Sequence, residues 1–421
     1  MASSSKPKRK RKRHSSNSED DPLWTKRSDG DYYSASSDKK KKLTALSSYI
    51  PRETSDWTMS ELENLQINWN WIDPSTKSID EFFDMFSNIN AVLPPLDADL
   101  IKMMDYLNAN LTFDTSVKEL EQENHFKVIE YLVKNFLPKV DADSDEHHDD
   151  EELMKTVGSS SRVMIHHIEA GRHDFQNDLK EILRDLLLTS RTVEEMRFTT
   201  MLEKFCRMCN LKGSIGLVEE TMIKDVRVVA VPDLTFIISS NEMLDVTDVT
   251  QIQIMTVAEV KVSTNDSLVD QKIHDTRQKP EAIDKETLQT MDPSKIRGFS
   301  QHVGQLIIGL GNSCFIKQCL GLLLHETKIL ITCLSTSPRY CNHIKDKLGP
   351  EDKATLHFIG PYDILKARER SQLIKAFLRP GVADMKEVDK HRATIYYSES
   401  KDILVKDDRN SLIQSIMRLN N

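Results

Sequence analysis

The sequence predicts an α/β fold, a central mixed β-sheet flanked by helices, preceded by a disordered basic tail and a small helical region. Three observations carry this. Two β-branched stretches, VRVVAVPDLTFII (Val226 to Ile238) and IMTVAEVKVS (Ile254 to Ser263), read as strands, the first with a Pro232-Asp233 break and the second alternating with period two. Helical stretches bracket them, Thr192 to Cys209 before and Arg297 to Leu310 after. The apolar run KILITCLS (Lys328 to Ser335) adds a final strand, and the residues just before it complete a hairpin of two buried strands.

The chain has 421 residues, a formal net charge of -9 and a sequence pI near 5.9, enough for two domains plus tails. No apolar run approaches the ~20 residues of a spanning helix, and the first residues are basic and serine-rich, so neither a membrane span nor a secretory signal is expected. The six cysteines fall inside predicted core elements, which suits a reducing compartment.

Net charge hides how unevenly the charge is placed. Residues 1–48 are Ser-, Lys- and Asp-rich with few aliphatics, so they are expected to be disordered. Within them KPKRKRKR (Lys6 to Arg13) holds seven cations in eight residues and fits a signal for a nuclear import receptor, which gives a nuclear location. A nonspecific arm on phosphates and a solvated charge run are the alternatives, and DKKKKL (Asp38 to Leu43) is a second basic cluster.

Residues 49–140 read as a small helical module or an arm packed on the later domain. Ser78 to Glu81 and Asp97 resemble capped helix starts, and Ser116 to Leu137 carries an apolar stripe of Leu120, Phe126, Ile129, Val133 and Phe136 before Pro138 stops it. Trp57, Trp69 and Trp71 read as core anchors rather than as platforms for stacked bases. Residues 141–160 form an acidic linker, with eight acids between Asp141 and Glu152. Residues 161–421 form the main domain, ending in a helical extension around Tyr362 to Leu378 and Arg409 to Leu419. His166 and His173 share a helical face that Gly171 interrupts, and Cys206 of the Cys206-x2-Cys209 pair sits mid-helix; neither set reads as a metal site.

Chemistry concentrates on the second strand. Its period places Glu259 and Lys261 on one face and Val260 and Val262 on the other. Apolar residues surround the pair, so the strand reads as central, where an unpartnered charge costs several kcal/mol. Two hard carboxylates beside an ammonium suit phosphodiester hydrolysis. Asp233 and Glu259 would hold Mg²⁺ through oxygen, while Lys261 lowers the pKa of the attacking water or neutralises charge developing on the phosphate. The plain alternative is an ion pair on a solvent face, worth ~0.2 to 1 kcal/mol.

Pro232-Asp233 followed by Glu259-Val260-Lys261, each on a hydrophobic strand, resembles the PD-(D/E)xK nuclease superfamily over about Thr192 to Ser335. The resemblance implies a restriction-endonuclease-like core. It implies a preceding helix that carries a glutamate, for which Glu195 is the match among Glu194, Glu195 and Glu203, and a following helix with Gln-x3-Gln, here Gln301 and Gln305. It further implies that Asp233, Glu259 and Lys261 are catalytic, with Mg²⁺ or Mn²⁺ on the two acids. In the same pattern Gln301 orients the water or the Lys261 amine, and Gln305 caps or packs.

The implied partner is nucleic acid, DNA before RNA. Lys272, Arg277, Lys279 and Lys285 in the polar loop after Lys261, and Lys366, Arg368, Arg370 and Lys375 further on, are candidate phosphate contacts. A competing reading keeps the fold as an inactive scaffold in a nuclear complex. A transcriptional regulator ranks last, because no recognition helix, zinc-finger spacing or basic zipper is present.

Overall fold

The computed structural model describes residues 50–136, 159–189, 192–238, 253–262, 296, 298–383 and 388–391. The chain divides into residues 1–48 and 49–421, and every described residue belongs to the second part. The basic tail, the acidic linker as far as residue 158, the loop carrying Lys272 to Lys285, and Arg409 to Leu419 lie outside the described residues.

Residues 50–136 are mostly helical. α1 (Met59–Asn64) opens with a capping box of Thr58 and Glu61, and α2 (Ile79–Asp84) with one of Ser78 and Glu81. Between α1 and α2 lies β1 (Ile67–Ile72), a strand the sequence reading missed. It pairs in parallel with the last strand of the main sheet, so of the two expected arrangements this part takes that of an arm packed on the later domain. Trp57 is buried and Trp69 and Trp71 are half-buried, with Trp71 donating to the Gly360 carbonyl.

α3 (Ser87–Val92), α4 (Ala98–Asn110), α5 (Val117–Glu121) and α6 (His125–Phe136) follow. On α6 the buried residues are Val128, Leu132 and Phe136, whereas Phe126, Ile129 and Val133 are exposed. Both sets repeat at helical spacing, so periodicity could not choose between them. Contact with the 30-residue helix α7 (Ser159–Leu188) decides it. α7 runs straight through Gly171, where a Cβ would stand 2.7 Å from the Met208 backbone nitrogen; the glycine permits close approach of the end of α8 (Glu195–Arg207).

The stretch Val226 to Ile238 is two strands in two sheets, because Pro232 has no N–H to continue a ladder. β3 (Glu219–Ile223) and β4 (Val226–Ala230) form a separate ribbon, while β2 (Lys212–Ile215) and β5 (Leu234–Ile238) pair antiparallel in the main sheet. β6 (Gln253–Lys261) is central, antiparallel to β5 and parallel to β7 (Gln318–His325). α9 (Phe299–Gly309) packs on β6 and β7. A tight hairpin joins β7 to β8 (Lys328–Thr336).

β8 is not the final strand. After the short α10 (Tyr340–His343) comes β9 (Ala354–Asp363), then α11 (Ala367–Gly381). Gly360 and Pro361 disguise the end of β9 as a break, and the helix expected from Tyr362 begins after it. The result is a mixed seven-stranded sheet, β1-β9-β8-β7-β6-β5-β2, flanked by helices. Buried Arg370 ties α11 to the N-terminal part by donating to the carbonyls of Leu111, Phe113, Ile364 and Leu365 while stacking over Phe113. It is a clamp and not a phosphate contact. No helix among the described residues is long and apolar enough to cross a membrane.

Candidate active site

The end of β6 gathers the residues singled out from the sequence. β5 begins only at Leu234, which pairs with Ala258, so the next amide of β6 on that side has no strand partner. Asp233 supplies one: its Oδ2 accepts from the Val260 N–H at 2.7 Å. The Pro232 break thus turns the aspartate onto β6, beside Glu259.

Glu259 is fully buried. Its Oε1 accepts from the Lys261 ammonium at 2.5 Å, and its Oε2 accepts from Gln305 Nε2 at 2.5 Å. Lys261 Nζ also donates to Glu195 Oε1 at 3.1 Å, which draws the start of α8 to the same point. Four of the expected residues, Asp233, Glu259, Lys261 and Glu195, are therefore brought together. Gln301 is not among them: it is half-buried one turn earlier on α9, with no hydrogen bond to these groups. Gln305 reaches the acid instead, because α9 is buried almost all round and its deeper turn faces β6.

Electrostatics follow from burial and crowding. Burial first, opposed by Lys261 and reinforced by Asp233, pushes the Glu259 carboxyl up to about 7. Burial likewise raises Asp233, with the Val260 N–H and Lys261 pulling it back. Lys261 is depressed by burial, but Glu259, Glu195 and Asp233 outweigh this and hold it above the usual lysine value. Lys261 is thus an ammonium at neutral pH, suited to neutralising charge rather than to taking a proton.

Two residues that sequence reasoning passed over complete the surroundings. His302 is buried one turn before Gln305, held neutral at about 3 by burial, and shares a hydrogen bond of 2.9 Å with Thr332 Oγ1. Gly298 has φ of 76°, and a Cβ there would stand 2.8 Å from Lys261 Cε, so the glycine makes room for the lysine side chain. A glycine immediately before a helix was the available signal.

Among the described residues no group of three or more His, Cys, Asp or Glu side chains forms a metal cluster. The donor set here is smaller, two hard carboxylates. It fits Mg²⁺, which is commonly held by one or two carboxylates and waters. Burial raises both carboxyls above their usual range even with Lys261 beside them, so a divalent cation at this point would favour their charged forms. Cys206 and Cys209, by contrast, are buried thiols whose pKa values burial raises.

Compared with known proteins, the chain matches no family model and no curated sequence.

Proposed function

We propose that this protein hydrolyses phosphodiester bonds of nucleic acid with a divalent metal, on a restriction-endonuclease-like core of the PD-(D/E)xK type. The observation that carries the reading is the meeting of Asp233, Glu259 and Lys261 at one end of a central strand, with Glu195 on the lysine. A cross-strand ion pair on a solvent face is disfavoured by the full burial of Glu259.

Asp233 and Glu259 are the residues that would hold Mg²⁺ or Mn²⁺, which when bound supplies Lewis-acid polarisation and acidifies water. Lys261 contributes a fixed positive charge for the negative charge that grows on the phosphate. Glu195 and Glu259 hold that ammonium from two sides, and Gln305 keeps the Glu259 carboxylate in one orientation. DNA in the nucleus is the proposed substrate, reached through an import receptor at Lys6 to Arg13.

The test is cleavage of labelled single- and double-stranded DNA and RNA by the full-length protein with Mg²⁺ or Mn²⁺. Cleavage by the wild type that is lost in Lys261→Ala and Asp233→Asn supports hydrolysis. Equal cleavage by wild type and Lys261→Ala, or none from either, overturns it in favour of a scaffold.

A further inference from the structure

The pairing register draws a line across the end of the sheet. Lys261 on β6 pairs with His325 on β7, His325 with Lys328 on β8, and Lys328 with Asp363 on β9. With strands ~4.8 Å apart, Lys328 lies about 10 Å from Lys261 along this line. That is roughly three nucleotides of a strand rising ~3.4 Å per residue.

At the far end of the line is a cleft of about 640 Å³, lined among others by Lys328, Tyr362, Asp363, Lys366, Arg368 and Glu369. Its two acids are turned to the protein's own backbone. Asp363, 8% exposed, accepts from the Leu365 N–H, and Glu369 accepts from the Asp363 N–H. Arg368 is exposed and makes no ion pair among the described residues, while Lys328 and Lys366 are half-buried, Lys366 paired with Glu119 at 2.6 Å. Tyr362 lines the same cleft with a buried hydroxyl that has no hydrogen-bond partner among the described residues. Three cations, one of them exposed, around acids engaged by the backbone favour an anionic ligand.

We propose that this cleft, through Lys328, Lys366 and Arg368, holds backbone phosphates of the nucleic-acid strand whose scissile phosphate lies at Lys261. The inference rests on the proposed hydrolysis and adds where the substrate strand runs: across β7 and β8 toward the start of α11. Its sequence-independent contacts fix the register of the strand without reading bases.

The test is fluorescence anisotropy of a labelled 20-nucleotide DNA, single-stranded and as a duplex, with the full-length protein in EDTA from 50 to 200 mM salt. The Lys328→Ala/Arg368→Ala variant is expected to bind about tenfold more weakly at low salt, with the slope of log affinity against log salt reduced by about two. Arg368→Glu, a surface change, is expected to weaken binding in the same direction and keeps the test open should the double variant not fold. Unchanged affinity and slope in both variants, with the wild type bound, overturns the cleft and leaves the hydrolytic reading standing. Absence of any binding or cleavage by the wild type overturns both.

Discussion

Gln305 Nε2 donates to Glu259 Oε2 across the junction of α9 and β6, and both residues are buried. A buried carboxylate deprived of a donor is left with its full desolvation cost, whereas a half-buried glutamine at the helix surface is replaceable. Gln305→Ala is therefore expected to destabilise the fold by about 1 to 3 kcal/mol and Gln301→Ala by less than about 0.5. Urea denaturation of the two variants measures this, and equal costs would remove the distinction. On the proposed function, Gln305→Ala also lowers kcat more than Gln301→Ala.

Lys261 folds against Gly298, whose positive φ an alanine adopts only with strain of roughly 1 to 2 kcal/mol. A methyl group there also meets the lysine side chain at less than 3 Å. Gly298→Ala is expected to cost both stability and cleavage, the latter approaching the loss in Lys261→Ala. Gly311→Ala is the control, since nothing lies within 4 Å of the added carbon. Melting temperature and cleavage rate of the pair check the expectation. Parallel behaviour of the two variants would show that the seat of the lysine is not specific.

Much of this site was legible because strand alternation is rigid. Once Glu259 and Lys261 lie two apart on one strand, they share a face whatever else surrounds them. Asp233 was legible through the proline beside it, and Glu195 only through the resemblance of the whole pattern. The choice between Gln301 and Gln305 was not legible, since both lie on one helical face and depth depends on how α9 tilts against the sheet. β1 and β9 were missed for a related reason. They pair with each other across 287 residues between Asn70 and His357, and no local pattern reports a partner so distant. The exposed stripe of α6 shows the same limit: two apolar sets were available, and only the packing of α7 selects one.

Gly321 on β7 leaves space for the imidazole of α9. A Cβ there would stand 2.4 Å from Thr332 Oγ1 and 2.7 Å from His302 Nε2, both buried and joined to each other. Gly321→Ala is expected to destabilise by about 1 to 3 kcal/mol through overpacking. Adding Thr332→Ala or His302→Ala to it should recover part of the loss, since each removes one of the groups struck. Denaturation midpoints of the single and double variants measure the recovery. Strictly additive losses would place the strain elsewhere.

Asp363 lies at the other end of the line of residues that begins at Lys261, and burial pushes its carboxyl up to about 6. The unfolded chain loses the same proton near pH ~3.9. Between about pH 4 and 6 the folded protein thus holds a proton that the unfolded chain has released, so stability falls as pH rises through that window and is level on either side. Asp363→Asn keeps an acceptor for the Leu365 N–H and has no charge to bury. It is expected to gain on the wild type by on the order of 2 kcal/mol between pH 4 and pH 7, with the difference developing below pH 6. Urea titrations at pH 4, 5, 6 and 7 follow it. Parallel curves for the two proteins would mean that the aspartate ionises in the fold as readily as in the open chain.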